Sequence, residues 1–212
     1  MFKYALFDLD MTLIDSIIPL MTSANLLADE YGLRKVSYEE VYQAEVSVPN
    51  CTFESLWRDL WGRYEPVWYE TYRDKFADKE YEVMELFPTG LDTLKALKEL
   101  GMPLGLASNR DYPRRALKCM GIEEYFSAVV GQFDVEKAKP APDMIFKAME
   151  LMGAPAGELL YICDSLGDLK AAEAAGVKCF SLTTGGHTAG ELKKLGAHAT
   201  GDKLIEVVDM FR

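Results

Sequence analysis

Histidine is scarce in this chain: His187 and His198 are the two among 212 residues, eleven positions apart and without cysteine neighbours. That leaves no ligand set for a structural zinc site. The four cysteines, Cys51, Cys119, Cys163 and Cys179, are widely spaced and form no CxxC pair. A disulfide framework is thereby disfavoured, and reduced thiols in a cytoplasmic protein are expected. Positive charge is also short, since 23 Lys and Arg against 34 Asp and Glu give a net charge of −11. A chain of that sign is repelled by polyanions, which argues against nucleic acid or an anionic membrane surface as partner. Long apolar runs are missing as well. Asp8, Asp10 and Asp15 interrupt the first apolar stretch before it can act as a signal-peptide core, and none of the runs approaches the roughly 18 residues that span a bilayer.

What is present is an ordinary globular composition, 49% apolar, 11% aromatic and 27% charged, sufficient for one domain or a core with a modest insertion. Apolar runs at 2–9, 103–107, 128–131, 159–163 and 178–182, bounded by turn or charged residues, read as buried strands. Between them lie helical spacings: Leu91, Leu94, Leu97 and Leu100; Ile145, Ala148, Met149 and Met152; the alanine-rich 168–175; and Leu204, Val207, Val208 and Phe211. Gly101, Gly153 and Gly176 stand where left-handed helix ends are expected, and Asp111 with Pro113 marks a helix start. Such alternation predicts an α/β fold built on a parallel sheet.

Residues 15–87 have another texture, helical and without convincing strands. Ile17, Leu20, Met21, Ala24, Leu27 and Tyr31 share one face, followed by helical stretches at 38–46 and 53–61, with Gly32, Pro49-Asn50, Pro66 and Pro88 as punctuation. An all-helical insertion at 15–87, between core segments 1–14 and 88–212, is the expected organisation. Trp57 and Trp61 are i,i+4 partners within it, and packing inside the insertion outweighs a substrate-stacking role for them.

The chemistry concentrates where strands end. Phe7-Asp8-Leu9-Asp10-Met11-Thr12 closes the first strand with two acids and a hydroxyl, and strand carboxyl ends are where open α/β sheets bind ligands. Ser108-Asn109 follows the second strand, Lys139-Pro-Ala-Pro-Asp143 opens a helix, and Asp164-Ser-Leu-Gly-Asp168 joins a strand to the alanine helix. Each alone reads more readily as a turn, a surface lysine or a helix cap. Their joint occurrence in this order is what carries weight.

In these four segments the chain resembles the haloacid dehalogenase superfamily, whose signatures are DxDxT, a Ser or Thr after a strand, a lysine and a late acidic pair. The resemblance spans residues 2 to 182 and is strongest to the branch of phosphoglycolate phosphatases and β-phosphoglucomutases, which carry a helical cap between the first two motifs. It implies a Rossmann-like sheet with helices on both faces, and a cap at 15–87. Met11 stands where the usual motif has Gly, and Cys163 replaces the Gly that usually precedes the late acid. Dehalogenase activity is not implied, because that pattern lacks the second acid, here Asp10.

By that resemblance Asp8 is the nucleophile and Asp10 the acid and base, while Ser108 and Lys139 hold phosphate oxygens, with Thr12 and Asn109 at the substrate. Four carboxylates in one site require a cation, and hard oxygen donors without His or Cys favour Mg²⁺. Asp8, Asp164 and the Asp10 carbonyl are its expected ligands, with Asp168 orienting the site or Lys139. The implied activity is Mg²⁺-dependent hydrolysis of a small phosphorylated metabolite, phosphoglycolate being the family-level guess. Two alternatives stay open, a phosphomutase and a non-catalytic phosphate-binding or interaction domain.

Overall fold

The computed structural model describes residues 1–47 and 52–212; the Pro49-Asn50 turn and Cys51 lie outside the described residues. In chain order, β1 (Tyr4–Phe7) is followed by α1 (Ile17–Tyr31), α2 (Tyr38–Ser47), α3 (Phe53–Trp61), α4 (Pro66–Thr71), a π-helical turn at Tyr72–Phe76, and α5 (Ala77–Glu82). Then come α6 (Gly90–Glu99), β2 (Leu104–Ala107), α7 (Pro113–Cys119), β3 (Phe126–Val130), α8 (Asp143–Met152), β4 (Leu159–Cys163), α9 (Leu166–Ala175), β5 (Lys178–Leu182), α10 (Ala189–Lys194) and β6 (Ala199–Gly201). The chain divides into two compact units, Met1–Ile14 with Leu86–Arg212, and Asp15–Glu85. No helix among the described residues is long and apolar enough to cross a membrane.

The larger unit is a Rossmann-like parallel sheet with helices on both faces, in the order β3-β2-β1-β4-β5-β6. β1 pairs with β2 on one side and β4 on the other, from Ala5↔Leu104 and Tyr4↔Leu159. Strand order therefore reverses between β1 and β4, the kind of switch point where a crevice opens at the strand carboxyl ends. Alternation of side chains sends Leu6, Ala107, Tyr161, Cys163 and Cys179 to one face, where Met144, Ile145 and Ala148 of α8 and Leu169, Ala171, Ala172 and Ala175 of α9 cover them. Small residues on α9 let that helix lie close to the sheet. On the path of β2, Gly105 leaves room for the Met152 sulfur and for Leu6. Each fully buried Leu or Phe in such a core contributes about 1.5–3 kcal/mol.

The helical unit has its own core. Ile17, Ala24, Leu27 and Ala28 of α1, Val41 and Ala44 of α2, and Leu56 and Leu60 of α3 are buried. Thr52 starts α3 by accepting from the Ser55 amide at 3.2 Å. Trp57 and Trp68 are 1% and 2% exposed, with Trp57 ringed by Phe53, Trp61, Tyr64 and Tyr72. Their role within the unit is packing. The buried Glu80 carboxylate accepts from Ser23 at 2.8 Å and Tyr72 at 3.0 Å, tying α1 to α5 and the π-helical turn.

Three local expectations change. β6 was not legible in the sequence. Leu204–Phe211 winds as 3₁₀ turns rather than an α-helix; β-branched Ile205, Val207 and Val208 weaken helix propensity, and packing against α6 places their apolar face. At α7, Pro113 occupies the first turn but the N-cap is Tyr112 without a side-chain bond. Asp111 instead accepts from the Gln132 side chain.

Candidate active site at the carboxyl edge of the sheet

Asp8 directly follows β1, and its amide continues the ladder by donating to the Ile162 carbonyl at 2.9 Å. Asp164 directly follows β4, so the two acids flank the point where strand order reverses. Ser108 follows β2, its amide donating to Val130 at 3.0 Å. Asp168 lies in the first turn of α9, where Ser165 caps its amide at 3.2 Å. The loop before α8 delivers Lys139. Asp8, Asp164, Asp168, Lys139, Ser108 and Thr12 are all buried, between 0% and 9% exposed.

Lys139 is the hub. Its Nζ donates to Asp8 Oδ1 at 2.5 Å, to the Ala107 carbonyl at 3.1 Å and to the Tyr161 hydroxyl at 3.0 Å, and it pairs with Asp168 Oδ1 at 2.7 Å. Tyr161 in turn donates to Asp168 at 2.6 Å, and Ser165 donates to the other Asp168 oxygen at 2.5 Å. Asp168 thus meets Lys139 and Tyr161 through one oxygen and Ser165 through the other. Asn109, expected at the substrate, is engaged in both directions with the Lys139 backbone, donating to its carbonyl and accepting from its amide at 3.1 Å each. Thr12 is fully buried, and its hydroxyl donates to Asp164 Oδ1 at 2.7 Å. The structure places both residues as supports of neighbouring site groups.

The charges are unevenly matched. Burial would push Lys139 down, but Asp168 and Asp8 outweigh it and hold the ammonium above its usual range. Asp168 stays below the usual carboxylate range: burial opposes this, and the Lys139 contact overcomes it. Burial pushes Asp8 up to about 7 against the pull of Lys139. Asp164 is pushed well up by burial and then by the Asp8 and Asp168 charges, with Thr12 countering weakly.

A carboxylate oxygen from each of Asp8, Asp164 and Asp168 lies within 4.8 Å of the others. One ammonium among three buried acids leaves negative charge in excess. The donors are all oxygen, which is the chemistry of a hard divalent ion. The residues therefore fit Mg²⁺, which Asp8 and Asp164 would hold. The Asp10 carboxylate is outside this cluster; it is half-exposed and meets Arg110, whose Nη2 lies 2.8 Å from its Oδ1.

Sequence reasoning missed Arg110, Tyr161 and Gly185. A cation directly after Ser108-Asn109 was a readable signal for the first. Tyr161 read as one more apolar strand residue, although a phenol inside a buried strand needs a partner. At Gly185 a Cβ would strike the carbonyl and carboxylate oxygens of Asp164. Met11, which stands where the usual motif has Gly, has a buried side chain and a left-handed backbone with φ of 54°. Its carbonyl accepts from the Thr184 hydroxyl at 2.5 Å.

Comparison with known proteins identifies the family. A phosphoglycolate phosphatase of Escherichia coli strain K12 is 42% identical over 118 residues, 52% of this chain and 47% of that protein. The chain thus spans about half the length of the curated relatives it matches at that level. Phosphoglycolate phosphatase 1 of Pseudomonas aeruginosa is 31% identical over 197 residues, 86% of this chain and 70% of that one. A haloacid dehalogenase-like family hydrolase from Streptococcus pneumoniae shares the fold with a TM-score of 0.80 at 21% identity, covering 100% and 99% of the two chains. The model of the haloacid dehalogenase-like hydrolases matches residues 5–182, which include both strand-end acids, Ser108 and Lys139. The chain belongs to the haloacid dehalogenase-like hydrolase family.

Proposed function

We propose that this chain is a Mg²⁺-dependent phosphatase that hydrolyses a small phosphate monoester through an aspartyl-phosphate on Asp8, with phosphoglycolate as the first candidate substrate. The observation that carries the reading is the Lys139 ammonium held between Asp8 and Asp168 beside Asp164, at the carboxyl ends of β1 and β4. The relatives named for phosphoglycolate hydrolysis support the substrate class. Residues 15–87 are the cap in this reading, and Cys119, Cys163 and Cys179, free thiols among the described residues, suit a cytoplasmic enzyme.

The bond changes follow from the residues. An Asp8 carboxylate oxygen forms a bond to phosphorus while the phosphorus–ester oxygen bond breaks, and the departing oxygen takes a proton from the Asp10 carboxyl. Asp10 then removes a proton from water, whose oxygen bonds to phosphorus as the Asp8–phosphorus bond breaks and phosphate leaves. Lys139 and Ser108 hold the phosphoryl oxygens during both steps. Mg²⁺ on Asp8 and Asp164 would supply charge neutralisation, so that an anionic carboxylate can approach an anionic phosphate. Asp168 and Tyr161 keep Lys139 in place. Asn109 fixes the backbone from which it extends.

The test is product analysis with phosphoglycolate and with sugar 1-phosphates in Mg²⁺ buffer. Release of one inorganic phosphate per ester consumed is expected. Stoichiometric isomerisation of the sugar phosphate without free phosphate would replace the hydrolase by a phosphomutase.

A further inference from the structure

Arg110 is a strong cation at the candidate site that neither the motifs nor the reaction above uses. Its guanidinium grips the Asp10 carboxylate as a fork: Nε donates to Oδ1 at 2.9 Å and to Oδ2 at 3.0 Å, and Nη2 lies 2.8 Å from Oδ1. The side chains are 17% and 33% exposed. Paired Arg–carboxylate contacts of this kind fix the plane of the acid as well as its distance. The anchoring continues through the backbone, because the Arg110 amide donates to Ser108 Oγ at 3.1 Å and its carbonyl accepts from the Gln132 amide at 3.3 Å.

Asp10 needs such an anchor. It lies past the end of β1, between Leu9 and the left-handed Met11, and none of the contacts that lock Asp8, Asp164 and Asp168 reaches its carboxylate. A half-exposed aspartate on a turn samples several rotamers, whereas proton delivery to one ester oxygen requires one of them. We propose that Arg110 is the positioning residue for Asp10, setting the carboxyl orientation that serves the leaving group. This rests on the phosphatase reading and on Asp10 as its acid.

A leaving-group comparison tests it. An alkyl phosphate such as glycerol phosphate needs a proton on its departing oxygen, whereas p-nitrophenyl phosphate expels a stable phenolate and needs little help. The quantity read is kcat/KM, which covers the steps up to loss of the alcohol. Arg110→Ala is expected to lower it about tenfold or more on the alkyl ester, a part of the 10²–10⁴ that a positioned acid contributes. On p-nitrophenyl phosphate the loss is expected to stay within about threefold, and Arg110→Lys, a single donor in place of the fork, is expected to fall between. In an Asp10→Asn background the Arg110 substitution should have no further effect on the alkyl ester. Equal losses on both esters, or a full additional loss in the Asp10→Asn background, would overturn the positioning role while leaving the phosphatase reading intact. Failure of the unmodified protein to release phosphate from these esters and from phosphoglycolate alike would overturn the phosphatase reading itself, and Arg110's role with it.

Discussion

At Gly185 the absence of a side chain has a direct chemical reason: Asp164 occupies the space where a Cβ would stand. Gly185→Ala should therefore displace the Asp164 carboxylate, costing about 1–3 kcal/mol of stability as other overpacking does. The expected sign in function is a weaker Mg²⁺ response, by about tenfold in the half-saturating concentration, the low end for changes around metal ligands. Magnesium titration of phosphate release checks it, and an unchanged midpoint would show that Asp164 accommodates the methyl group. Single residues also set the limits of sequence reading. Asp8, Lys139 and Asp164 were legible because their spacing repeats a known order of motifs, and the fold brings them together across more than a hundred residues of chain. Tyr161 was not, because a lone phenol carries no period, and Arg110 offered only its place directly after Ser108-Asn109, which says nothing of what it grips. Their meaning comes from Asp10 and Lys139, which only the folded sheet places beside them.

At the scale of elements, the turn after β1 holds an unresolved tension between backbone and side chain. Met11 takes a left-handed conformation that disfavours non-glycine residues by about 1–2 kcal/mol, yet its side chain is 6% exposed. Met11→Gly would relieve the first term and lose the second, for which removal of a buried Met side chain costs about 2–5 kcal/mol. Net destabilisation by roughly 1–3 kcal/mol is expected in urea unfolding; a stabilised variant would mean that backbone strain dominates. The five strands with continuous apolar runs were legible for the same reason that they are buried. β6 was not, since Ala199-Thr200-Gly201 has no apolar run of its own and forms by pairing with Phe180, Ser181 and Leu182. Likewise the 3₁₀ winding of Leu204–Phe211 comes from its docking on α6 and from three β-branched residues, although the spacing of its apolar face reads as helix.

For the whole molecule, a net charge of −11 is compatible with binding a phosphate ester because the local field, not the sum, decides. In the proposed reading Lys139 and a divalent cation would act within a few ångströms, while most other charges are solvated and screened. The same reasoning gives a stability prediction. A cation that binds the folded site alone stabilises by about 2.7 kcal/mol at a hundredfold excess over its dissociation constant, which raises Tm by roughly 5–10 °C for a chain of this size. Thermal melts with EDTA and with Mg²⁺ should show this rise. Asp164→Asn should melt higher than the unmodified protein in EDTA, because a crowded buried charge is removed, and should lose the rise with Mg²⁺. An equal rise in that variant would move the cation away from Asp164.

The most direct measurement is phosphate release from phosphoglycolate and other small monoesters, with Mg²⁺ and with EDTA, by the unmodified protein and by Asp8→Asn. Turnover that requires Mg²⁺ and vanishes in Asp8→Asn, with the variant still folded, is the expected result. Turnover that persists in Asp8→Asn would contradict Asp8 as the nucleophile and the aspartyl-phosphate route with it.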